Sequence, residues 1–126
     1  MKRDEVIKLT DEWLKSVPNI RKRIRLIDIA LKKDIFDIEI INKIKKKRSQ
    51  LNSKLVKIIK AIDTLEDDNQ RIICYRYFEG LSYSKIALRI GLRSETISRR
   101  IKKLLLNVGR IMFGFEDEFW NEVFEE

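Results

Sequence analysis

The chain has 126 residues, 44% of them apolar and 38% charged, and its 28 Lys and Arg against 20 Asp and Glu give a net charge of +8 and a pI of about 9.7. That length bounds it to one domain or a small domain with an extension; one Pro and four Gly leave little material for a turn-rich all-β fold, and no apolar run is long enough for a membrane span or an N-terminal signal. The lone Cys74 excludes an internal disulfide and fits a reducing cytoplasm, while the lack of His, of a phosphate-binding glycine loop and of metal-spaced Cys or acidic clusters argues against an enzyme, a metal or a cofactor.

In chain order, "LTDEWLKSVPN" reads as a short helix with Thr10 as N-cap, ended by Pro18 and Asn19, so that residues 1–20 form a helix and a linker at 17–20. Residues 21–65 contain no Pro or Gly, and residues 21–60 carry fourteen bases against four acids. One apolar stripe runs through Ile24, Ile27, Leu31, Ile35 and Ile38. A second, through Ile41, Ile44, Leu51, Leu55, Ile58, Ile62 and Leu65, follows a heptad frame with Arg48 in one seam position. Two antiparallel helices or one long kinked helix are expected, with the junction near Asp34 to Asp37. The stripes serve either intramolecular packing or a homodimer interface over residues 41–65.

Residues 66–110 are expected to form a helix-turn-helix domain. Glu66, Asp67 and Asp68 suit a helix N-terminus, Ile72, Ile73, Tyr75, Tyr77 and Phe78 supply a bulky core face, and Gly80 suits a left-handed stop. Cys74 among them reads as a small core residue. Ser82 can cap a helix from Tyr83 to Ile90, and Gly91 allows a positive-φ turn. Ser94 is expected to cap a second helix running to about Val108, with Gly109 after it. Ile86, Ile90, Leu92, Ile97, Ile101, Leu104 and Val108 form the inward frame, and Ala87 is small where the helices cross. The fold class is all-α: long N-terminal helices, a hairpin or coiled coil, followed by this helix-turn-helix.

Residues 81–110 carry eight bases and one acid, and a polyanion is the natural partner of such a block. With Ile97 and Ile101 turned inward, the opposite face of the second helix presents Glu95, Arg99, Lys102 and Lys103, flanked by Thr96 and Ser98. Near its N-terminus such a helix reads base edges in the major groove: Arg99 suits guanine and Glu95 the amino group of cytosine. Arg93, Arg100, Lys102 and Lys103 are placed for phosphates, as are Ser82 and Lys85 at the start of the first helix. Ser94, Thr96 and Ser98 complete the candidate interface with double-stranded DNA.

"QRIICYRYFEGLSYSKIALRIGLRSETISRRIKKLLLNV", residues 70–108, resembles region 4 of the sigma-70 family, the part that reads promoter DNA. The whole layout is also similar to small sigma-like phage and prophage regulators of the ArpU and RinA type, in which a charged helical segment precedes a sigma-like C-terminal half. The resemblance implies a transcription regulator in the cytoplasm of a bacterial host, places Glu95 on a promoter-contacting glutamate, and raises RNA polymerase as a further partner. Residues 1–65, with Trp13 and Phe36 as their aromatics, lack a counterpart of sigma region 2, which implies a regulator that borrows the DNA-reading half.

Two other readings remain open: a DNA-packaging protein like a terminase small subunit, and a protein-binding adaptor acting on a sigma factor or the polymerase. Leu106 is anomalous, an apolar residue on the same side as Arg99. Residues 111–126 carry six acids and no base beside Phe115, Phe119, Val123 and Phe124, an acidic amphipathic helix expected to cover Leu106, dock on polymerase or shield basic surface.

Overall fold

A computed structural model describes residues 2–113, and among these there is no strand. Six α-helices follow in order: α1 (Arg3–Lys15), α2 (Val17–Lys32), α3 (Ile38–Asp63), α4 (Asp67–Ile73), α5 (Tyr83–Ile90) and α6 (Ser94–Met112), with a π-helical turn, Cys74–Phe78, extending α4. The expected acidic C-terminal helix falls on residues outside the described ones, apart from its first three.

The first helix starts seven residues before the expected cap. Asp4 and Glu5 supply the first-turn acids, and the Lys2 N–H donates to Glu5 Oε2 at 3.3 Å. Thr10 is no N-cap. It lies mid-helix, fully buried, with its hydroxyl donating to the Val6 carbonyl at 2.7 Å, which satisfies a polar group that burial would otherwise penalise. Nor do Pro18 and Asn19 form a linker. Pro18 stands in the first turn of α2, where its missing N–H costs nothing, and Val17 and Ile20 are buried.

α2 and α3 form a hairpin, the first of the two expected arrangements, joined over residues 33–37. Asp37 caps α3 by accepting from the Ile40 N–H at 2.9 Å. Arg48, the odd residue in the heptad frame, clasps Asp28 of α2, its Nε and a terminal nitrogen donating to the two carboxylate oxygens at 2.7 and 3.2 Å. That hydrogen bond holds the Asp28 carboxyl below its ordinary pKa, so the clasp is present at neutral pH and is lost only as pH falls through that depressed value. The second stripe is divided: Leu51, Ile58 and Ile62 are buried in the chain's own interior, whereas Ile41 and Ile44 are half-buried. Ile35 and Ile38 of the first stripe are exposed.

The main buried cluster draws on nearly every helix: Leu14, Val17, Ile58, Ala61, Ile72, Ile73, Tyr77, Ile86, Ala87, Ile97, Ile101, Leu104, Leu105, Val108 and Met112. The π turn, marked by the Glu79 N–H bonding back to the Cys74 carbonyl at 3.0 Å, was not anticipated. Its aromatic rings bind neighbouring elements. Arg21 of α2 lies 5.2 Å from the Phe78 ring, and Arg89 of α5 lies 5.1 Å from Tyr75. The Tyr77 hydroxyl donates to Asp11 of α1 at 2.6 Å. Burial, aided by that carboxylate, raises the Tyr77 pKa far above the usual phenol range. Burial likewise raises the Cys74 thiol, so it stays protonated at neutral pH and has little nucleophilic character.

Candidate nucleic-acid interface

The helix-turn-helix assembles from local signals. Ser82 Oγ accepts from the Lys85 N–H at 3.2 Å, capping α5. Gly91, at φ +83°, takes the left-handed conformation that ends α5, and the Gly91 and Leu92 N–H groups both bond to the Ala87 carbonyl, at 2.8 and 3.0 Å. Ile86, Ala87, Ile97 and Ile101 are buried together. α6 begins after Arg93, which occupies the N-cap position. Ser94 is therefore not the cap but the first helical residue, and its hydroxyl lies 3.5 Å from that of Ser84 on α5. Gly109 does not end α6, which continues to Met112.

On α6, Glu95, Arg99, Lys102 and Lys103 are exposed, and Ser94, Thr96, Ser98 and Arg100 are half-buried. Arg93 and Lys85 are exposed at the turn and on α5, beside the exposed cap Ser82. Thr96, Arg99, Arg100, Lys102 and Lys103 line one open groove. Arg100 and Lys103 also line a second, where they face Glu66, Asp68 and Asn69 at the start of α4. Arg100 thus stands between the basic face and an acidic rim, which sets it apart from Arg99 and Lys102.

The bases of this chain divide into two kinds. Lys15, Arg48, Arg71 and Arg89 are paired with Asp11, Asp28, Asp68 and Glu79, and Arg76 lies 4.2 Å from the Tyr83 ring. Among the described residues, Arg93, Arg99, Arg100, Lys102 and Lys103 have no ion pair and no ring contact. These five cations on and just before α6 carry concentrated positive potential that suits an external anion, with Glu66 and Asp68 opposite Arg100 and Lys103 alone.

One contributor was missed from the sequence. Arg3, at the start of α1, lines the same groove as Arg99 and Lys102. It arrives there because α1 lies along α6: Val6 packs with Leu106, and Ile7 and Phe113 close over them. Leu106 is thereby covered by α1 and by Phe113, and is only 6% exposed; the rest of the C-terminal segment lies outside the described residues. The signal lay in the small residue Gly109, which brings α6 close to Val6 and Thr10. α1 thus covers the second half of α6's outward face and leaves residues 94–103 open, roughly 15 Å of helix at 1.5 Å per residue. The major groove, about 12 Å wide, accommodates a helix end of that size.

Ser82 has a testable double character. Ser82→Ala should cost about 1 kcal/mol of stability through loss of the cap. Ser82→Asp, which retains a cap acceptor, should keep stability in thermal melts yet weaken duplex binding, since it sets a negative charge where a phosphate is expected.

Residues 61–108 match the family model described as sigma-70, region 4. The match runs from the last turn of α3 to Val108 of α6, and α1, α2 and most of α3 lie outside it. No curated protein and no solved structure gives a significant match to the chain. The C-terminal part is therefore a sigma-70 region 4-like helix-turn-helix, a DNA-binding type of domain. No helix among the described residues is long and apolar enough to cross a membrane, and no group of His, Cys, Asp and Glu among them could hold a metal.

Proposed function

We propose that this protein is a non-enzymatic transcriptional regulator that binds double-stranded DNA sequence-specifically, inserting the first half of α6 into the major groove. The observation that carries the reading is the face of uncompensated cations on α6, set beside the turn of a sigma-like helix-turn-helix. Glu95 and Arg99 read base edges, with Thr96 and Ser98 beside them. Arg93, Lys102 and Lys103 hold phosphates, Ser82 and Lys85 meet the backbone at the start of α5, and Arg3 adds a contact from α1.

Promoter regulation in a bacterial cytoplasm, of the phage and prophage kind, is the setting that the layout of the chain supports. There, contact with RNA polymerase would fall to surfaces away from α6. Dimerisation belongs to the distal half of the hairpin, where Ile38 and Ile40 are exposed beside half-buried Ile41 and Ile44. From Leu51 onward the seam residues of α3 serve the chain's own core. Light scattering at tens of micromolar should give twice the monomer mass, and a monomer mass would remove the dimer from this scheme.

Selection of bound duplexes from a random pool tests the main reading. Enrichment of a defined motif is expected. Retention without any motif would fit a packaging protein better, and no retention at low salt would leave a protein-binding adaptor.

A further inference from the structure

One side of α3 carries a second row of cations. Lys43, Lys47, Gln50, Lys54 and Lys57 recur at alternating spacings of four and three, which places them along one side of the helix. Among the described residues none of the four lysines forms an ion pair. Ile40, 42% exposed, continues the same side toward the hairpin tip. At the other end, the Lys54 and Lys57 ammonium groups lie 4.6 and 5.9 Å from the centre of the Trp13 ring. Trp13 in turn meets Phe113 edge-on, with ring centres 5.5 Å apart. Phe113 ends the described chain beside the lysine row.

The sequence that follows, "GFEDEFWNEVFEE", is complementary to that row. Its thirteen residues hold six acids, no base, and Phe115, Phe119, Trp120, Val123 and Phe124. We propose that residues 114–126 dock within their own chain along the Lys43–Lys57 side of α3, with the carboxylates against the lysines and aromatic side chains against the half-buried Leu55. The reach is sufficient. From Lys43 to Lys57 α3 rises about 21 Å, and thirteen residues span about 20 Å as a helix and about 43 Å when extended.

The other cationic surface, the basic face around Arg99, is separated from Phe113 by α1, whose Val6 and Ile7 pack with Leu106. The same chain is favoured as the occupant because Phe113, meeting Trp13 beside Lys54 and Lys57, starts the segment at the lysine row and gives it a high effective concentration there. Docked in this way, the segment's six acids offset more than half of the excess positive charge of residues 21–60, so that DNA is drawn to α6 more than along α3.

The test is zero-length carbodiimide coupling of the full chain, as an equimolar mixture of nitrogen-15-labelled and unlabelled protein, mapped by mass spectrometry. Expected are amide links from Lys43, Lys47, Lys54 or Lys57 to acids in 116–126, within chains of one label, falling at least tenfold in high salt. Links to Lys102 or Lys103 would place the segment on the reading face and overturn the proposal, as would links only between labelled and unlabelled chains, or no links from the segment. The outcome does not depend on DNA binding, so it stands or falls apart from the proposed function.

Discussion

Gly109→Val is expected to destabilise the protein by about 3 kcal/mol, at the upper end of the usual cost of overpacking a well-packed site. A Cβ built on Gly109 comes within 2.7 Å of Val6 Cγ1 and closer still to Thr10 Oγ1. Neither neighbour yields easily. Both are β-branched and fully buried, and the Thr10 hydroxyl is committed to the Val6 carbonyl. Relief requires α1 to move away from α6. Gly109→Ala meets the same first contact but regains about 1 kcal/mol of helix propensity, so it should fall between wild type and Gly109→Val. Urea unfolding should give that order. Because α1 carries Arg3 to the basic groove, both variants should also bind DNA more weakly with a shallower salt dependence. Equal unfolding midpoints for all three would mean that α1 does not seat on α6 at Gly109.

Gly109 also marks how far the sequence could be read. Where one residue type answers one local backbone need, the reading transfers. Ser82 caps α5, Gly91 and Gly80 take positive φ, and Ile86, Ile97 and Ile101 turn inward. The hairpin junction near Asp34 to Asp37 was legible as the break between two apolar stripes, and the structure adds Asp37 as the cap of α3. The misplacements occur where two local explanations compete. A threonine before two acids resembles a cap, but Thr10 is the residue that lets α1 approach Gly109. A glycine after an apolar run resembles a helix end, but Gly109 is small because another helix crosses it. Pro18 ends a helix or begins one with equal local ease, and burial of Val17 and Ile20 decides for beginning. The π turn has no period in the sequence at all; it depends on how Tyr75, Tyr77 and Phe78 seat against α1, α2 and α5.

The candidate interface divides along the same line. Its cations on α6 follow from helical spacing alone, whereas Arg3, more than ninety positions away in sequence, required α1 to be laid along α6. The second half of the α6 face looked equally available in the sequence, with Leu106 as its one anomaly. Once α1 covers Leu106, the anomaly becomes a boundary: bases from Arg93 to Lys103 remain open to a partner, and contacts beyond them belong to the fold.

Within that open stretch, Arg99→Ala should cost about 1–3 kcal/mol on the selected duplex and relax the preference at one base pair, because a bidentate guanidinium discriminates guanine from the other bases. Lys102→Ala, or Lys103→Ala, should weaken selected and scrambled duplex alike and reduce the slope of log affinity against log salt by roughly one, since one phosphate contact fewer releases about one counterion fewer. Competition between the two duplexes at two salt concentrations measures both quantities at once. The contrast has a structural basis: Arg99 lies on the side opposite buried Ile97 and Ile101, near the centre of the open stretch, while Lys102 and Lys103 stand at its end, next to the part that α1 covers. Arg100, half-buried where Lys103 is exposed, should behave differently from Arg99 and Lys102. It already faces Glu66 and Asp68 across the second groove, so Arg100→Ala should change the salt slope least. Proportional loss of both duplexes in Arg99→Ala would make Arg99 a phosphate clamp and move base reading to Glu95, Thr96 and Ser98. No change in any of these variants would mean that the cations of α6 meet water rather than DNA, and the helix-turn-helix would then have to act through a protein partner.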